Sequence, residues 1–112
     1  MLKNAKFTLS KNDNIEMTKT VKIIDNNSEI SFKLDGFKMI INDRCFLREN
    51  DEYKLHLNIK EKTCLLHIKE KNLLYDINVE KIEYNNNRNK IELIYKIETD
   101  DFENKIIIEQ GE

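Results

Sequence analysis

The chain has 112 residues, 39% of them hydrophobic and 36% charged, and its 19 basic against 21 acidic side chains leave a formal net charge of −2. One domain over residues 1–112 is the expected organisation, large enough to bury roughly two-thirds of the surface that its unfolded form exposes. Near-neutral charge, few arginines and no basic motif interleaved with aromatics argue against a nucleic-acid partner, and no apolar run nears the roughly 20 residues that cross a bilayer.

Apolar and polar residues alternate from the start. Ala5, Phe7 and Leu9 make the first period-two run, and Ile15, Met17, Val21 and Ile23 the second. Each reads as a half-buried strand. Residues 30–41 read Ile-Ser-Phe-Lys-Leu-Asp-Gly-Phe-Lys-Met-Ile-Ile, an alternating pattern centred on Asp35-Gly36. Those two residues tolerate the positive φ of a two-residue type I′ turn, and pairing outward sets Leu34 against Phe37, Phe32 against Met39 and Ile30 against Ile41. All six side chains then share one face, and a slip of one residue would turn them to the wrong side.

Residues 43–52 lack a convincing pattern and are expected to form an irregular connection or one short turn. Alternation returns at Leu55, Leu57 and Ile59, then at Cys64, Leu66 and Ile68, with a short turn at Glu61-Lys62 between them. A longer run from Leu73 passes through Val79, changes phase near Glu80-Lys81 and continues to Ile82 and Tyr84; the phase change predicts a bulge. Ile91, Leu93, Tyr95 and Ile97 form the next strand and residues 105–109 the last. With only two glycines and no proline, asparagine supplies the expected turns, at Asn26-Asn27, Asn72 and residues 85–87. The fold class is all-β, roughly eight short antiparallel strands in sequential hairpins, closed as a small up-and-down barrel in preference to a sandwich. Side chains can fill such an interior or leave room for one small ligand, and the pattern is compatible with both.

The hairpin Leu34-Asp35-Gly36-Phe37-Lys38-Met39-Ile40-Ile41 followed by Arg44, the segment Asp76-Ile77-Asn78-Val79-Glu80-Lys81-Ile82, and the closing Lys90-Ile91-Glu92-Leu93-Ile94-Tyr95-Lys96-Ile97 resemble the YwiB-like proteins. The resemblance spans residues 13–109, starting from Asp13-Asn14-Ile15-Glu16. It implies a small bacterial barrel of the calycin, or lipocalin-like, kind, and it implies no biochemical activity.

Few residues carry chemistry. If the simplest register holds, His56 stands opposite His67 on the outer face, with β-carbons about 4.5 to 5.5 Å apart, near enough to share a metal; two solvated surface histidines are the plainer reading, since a zinc site needs three or four protein ligands. Lys19 falls in phase with inward-facing Met17 and Val21, either as a cationic contact for an anionic ligand head at the barrel mouth or as a rim side chain reaching solvent. Phe7, Phe32 and Phe37 are the candidate wall of a ligand site. Residues 54–71 hold five lysines against two glutamates and residues 92–112 seven carboxylates against two lysines, so a near-neutral whole has a polarised surface able to orient a partner. Ile24, Ile40, Leu65, Leu74, Ile94 and Ile107 fall on the nominal outer face, where adjacent apolar residues mark an interface. Cys64 and His67 have opposite strand parity, and two glycines cannot build a phosphate cradle. The sequence therefore predicts a non-enzymatic protein with no cofactor, partnered by a small apolar ligand or by protein, including a second copy. The first residues lack the apolar core of a secretory signal, so the expected location is cytoplasmic.

Overall fold

Residues in the left-handed backbone region punctuate the chain and decide where strands reverse. The computed structural model describes residues 2–27 and 29–111. Strands β1 (Leu2–Lys11) and β2 (Asn14–Asn26) are joined by Asn12 and Asp13, whose φ values of 50° and 67° make a two-residue turn between paired Lys11 and Asn14. β3 (Glu29–Leu34) and β4 (Phe37–Ile41) meet through Asp35 and Gly36 at φ 50° and 82°, with the three expected apolar pairs in register. Ile30, Phe32, Leu34, Met39 and Ile41 are buried there, and Phe37 is half-buried.

The connection expected over residues 43–52 contains a strand, β5 (Cys45–Glu49). Two asparagines set its limits. Asn42 Oδ1 accepts from the backbone N–H groups of Arg44 and Cys45 at 2.8 and 2.9 Å, and Asn50 Oδ1 accepts from those of Glu52 and Tyr53 at 2.9 Å each. These side chains satisfy turn amides on both flanks and free the five residues between them to pair with both neighbours. β6 (Tyr53–Asn58) and β7 (Thr63–Ile68) follow, then β8 (Leu73–Ile77) and β9 (Val79–Asn87), which divide the single expected run at Asn78. β10 (Lys90–Ile97) and β11 (Asn104–Gln110) complete the count at eleven strands among the described residues, not eight. The bulge expected near Glu80-Lys81 is present: Lys96 pairs with Lys81 but Ile97 with Val79, leaving Glu80 as the extra residue. Asn85, Asn86 and Asn87 are ladder residues rather than a turn; the reversal falls just after them, with Arg88 at φ 54°.

All strands are antiparallel neighbours in one sheet of order β8-β7-β6-β5-β4-β3-β2-β1-β11-β10-β9. It curls into a nearly closed barrel, because its two end strands, β8 and β9, are consecutive in the chain and meet at Asn78. A side-chain clip holds that corner: the Asn78 N–H and Nδ2 donate to the two carboxylate oxygens of Glu98 at 3.2 and 3.1 Å, and the Glu98 N–H donates back to the Asn78 carbonyl at 3.0 Å. On the opposite side β2 is long and pairs with β3 only through Ile24, Asp25 and Asn26, so the two strands splay apart beyond that point. Phe7, Ile23, Ile41, Phe46, Leu57, Leu93 and Ile108 are the largest fully buried side chains and form the interior from β1, β2, β4, β5, β6, β10 and β11. Each such side chain contributes roughly 1.5–3 kcal/mol by leaving water. No helix is long and apolar enough to cross a membrane among the described residues.

Candidate functional site: a cavity in the barrel

Not all of the interior is filled. A partly open cavity of about 370 Å³ lies against Phe7 and Leu9 of β1, Met17 of β2, Leu34, Phe37 and Met39 of the β3–β4 hairpin, and Phe46, Leu55 and Leu66 of the strands beyond. Ile77, Tyr95, Ile97 and Ile106 close its far side. The volume is at the lower end of the range of small-molecule sites, which are mostly apolar with a few placed polar groups. Here those groups are Lys11, Asp35, Arg48, Tyr53, Thr99, Asp100 and Asn104.

Most of these polar groups are already engaged. Asp35 takes a 2.8 Å ion pair from Lys19, which bridges the splay between β2 and the β3–β4 turn. Asp100 Oδ2 accepts from Asn104 Nδ2 at 2.9 Å. Lys11 Nζ stands 4.4 Å from the Phe102 ring centroid. Arg48 differs. Its ladder partners are Met39 and Leu55, both buried, so strand pairing points it inward. Its guanidinium carbon sits 4.0 Å from the centroid of the Phe37 ring, a cation–π stack, and its Nε is buried without a hydrogen-bond partner. The Phe37 ring in turn packs on Tyr53, with centroids 5.7 Å apart. Burial pushes the Tyr95 hydroxyl well above its ordinary pKa, partly opposed by the nearby positive charge of Arg48. Burial likewise pushes the Cys64 thiol up to about 11, with the charge of Asp100 adding to the shift.

Of the wall residues expected from sequence, Phe7 and Phe37 face the cavity. Phe32 does not; it stands behind the wall, its ring centroid 5.6 Å from that of Phe7. Lys19 has the inward parity expected of it, lying opposite Phe7 in the ladder, but it is exposed and its ammonium is occupied by Asp35. Arg48, not Lys19, lines the cavity, and sequence reasoning missed it because it lies in the stretch read as irregular. A signal was available: Asn42-Asp43 and Asn50-Asp51 repeat the same turn opening on either side of six residues.

The histidines are not directly opposed. His56 pairs with Leu65 and His67 with Lys54, a displacement of two residues from the expected register. The cause is the connection, which occupies residues 59–62 with Asn58 Oδ1 accepting from Glu61 N–H at 3.0 Å and Lys62 at φ 57°. A tight turn on Glu61-Lys62 would have opposed them. His67 Nε2 instead lies 3.0 Å from Asn72 Oδ1, and no group of three or more His, Cys, Asp or Glu side chains placed to hold a metal exists among the described residues. On the outer face, Ile24, Leu65 and Leu74 are exposed as expected, whereas Ile40, Ile94 and Ile107 are half-buried. Leu73 and Tyr75 join Leu74 in exposure on β8, an end strand of the sheet.

No family model, curated protein or solved structure matches the chain.

Proposed function

We propose that the chain is a non-enzymatic binding module, a calycin-like barrel that holds one small apolar or amphipathic molecule. The cavity of about 370 Å³ carries this reading, because packed interiors normally leave few voids larger than a water molecule. Phe7, Leu9, Met17 and Leu66 supply an apolar wall, and the splayed β2–β3 side offers access. The resemblance to the YwiB-like proteins supports the same barrel class and a bacterial setting. Native mass spectrometry of freshly purified protein, set against its denatured mass, tests the reading: a small added mass that leaves on denaturation is expected. Protein that stays at the bare chain mass and takes up no apolar molecule on titration would sink it.

A second reading, self-association or docking to another protein, rests on β8. Leu73, Leu74 and Tyr75 are exposed on a strand whose other edge has no ladder partner among the described residues. Apolar side chains beside an open edge are the features that strand pairing between chains uses.

A further inference from the structure

The cavity contains one arginine, and the surrounding groups define what it can receive. Arg48 is in no salt bridge among the described residues. The acidic side chains nearest to it in sequence or in the cavity are committed elsewhere: Glu49 to Lys69 at 2.7 Å, Asp35 to Lys19 at 2.8 Å, and Asp100 to Asn104 at 2.9 Å. A cation held against an apolar wall without a counter-charge is costly, and the protein bears that cost within a cavity. The guanidinium carbon lies 4.0 Å from the Phe37 ring centroid and Nε is buried against the protein, so what Arg48 presents to the cavity is the terminal Nη edge, which is in no ion pair among the described residues. Such an edge matches the two oxygens of a planar carboxylate.

We infer that the barrel takes an amphipathic monocarboxylate, its head held by the Arg48 edge and its apolar tail against Phe7, Leu9 and Met17. This rests on the ligand-holding reading above and specifies its chemistry. Asp35 and Asp100 line the same cavity, so a head with two negative charges would meet repulsion that a single charge largely escapes. Lys11 and Lys19 do not replace Arg48 as the receptor: the first, over Phe102, offers a point charge without a two-pronged edge, and the second is paired with Asp35.

Calorimetric titration of the purified protein with decanoate and with decanol, its uncharged counterpart, tests the inference. Wild type is expected to bind decanoate roughly tenfold to hundredfold more tightly than decanol, the usual range for hydrogen bonds to a charged group. Arg48→Met should abolish that preference and leave decanol binding in place. Arg48→Lys, which keeps the charge but not the two-pronged geometry, should retain only part of it. Equal binding of both probes by wild type, or a preference undiminished in Arg48→Met, overturns the carboxylate assignment and leaves the ligand-holding barrel standing. Binding of neither probe overturns both. If Arg48→Met does not fold by circular dichroism, Arg48→Lys decides: a reduced preference supports the assignment and a full one overturns it.

Discussion

Cys64 and Tyr95 are the interior groups whose protonation the barrel controls most strongly. Cys64 rises from an ordinary value of 9.0 to about 11 through burial, and Tyr95 is shifted in the same direction for the same reason. The unfolded chain therefore releases these protons first as pH rises. Above about pH 9 it binds fewer protons than the native state, so stability must fall with pH. The contribution from Cys64 is intact below pH 9 and is lost as pH passes through about 11. Urea midpoints measured between pH 8 and pH 11 should decline, and Cys64→Ala should make the decline shallower; parallel slopes for the two proteins would contradict this account. Arg48 shows the limits of reading at this scale. An arginine on a strand faces in or out according to parity, and parity has no meaning until the strand is recognised. Phe7 and Phe37, lying in clear alternating runs, could be assigned to the interior from sequence, whereas Arg48 could not.

Strand elements were legible where their pairing is local and their turns are tight. The β3–β4 hairpin has two central residues, Asp35 and Gly36, that admit one register, and the observed pairs are the expected ones. The β6–β7 connection has four, and its exit through Lys62 at φ 57°, a left-handed position occupied by neither glycine nor asparagine, gave no warning. β5 is too short for periodicity to speak, with five residues between two asparagine-capped turns. The same level of structure separates filled from open interior. Phe32 is packed on Phe7 away from the cavity, so Phe32→Trp should cost about 1–3 kcal/mol through overpacking. Leu66 faces the cavity, so Leu66→Trp should stay within about 1 kcal/mol of wild type and reduce ligand uptake. Chemical denaturation of both variants checks the pair, and equal losses would mean that the space is not available to a side chain.

At the level of the molecule, the all-β class and the antiparallel meander followed from alternation alone. How the sheet ends meet did not, because no local pattern encodes the corner at Asn78 or the clip to Glu98. That corner leaves β8 with an open edge and three exposed apolar residues. If copies associate through this edge, Leu74→Lys should shift the protein from dimer to monomer in size-exclusion chromatography with light scattering, since an edge lysine opposes strand addition. A wild-type protein already monomeric at high concentration would remove this interface from consideration.

The pairing of β1 with β11 brings Ala5 opposite Gln110 and Leu9 opposite Ile106, uniting the two ends of the described chain. Every other ladder among the described residues joins strands that follow one another in sequence, so those hairpins can assemble one by one as the chain lengthens. The seam between β1 and β11 must wait for the final strand, and Phe7, Leu9 and Ile106 line the cavity from that seam. During synthesis on the ribosome the pocket is therefore incomplete until β11 has emerged.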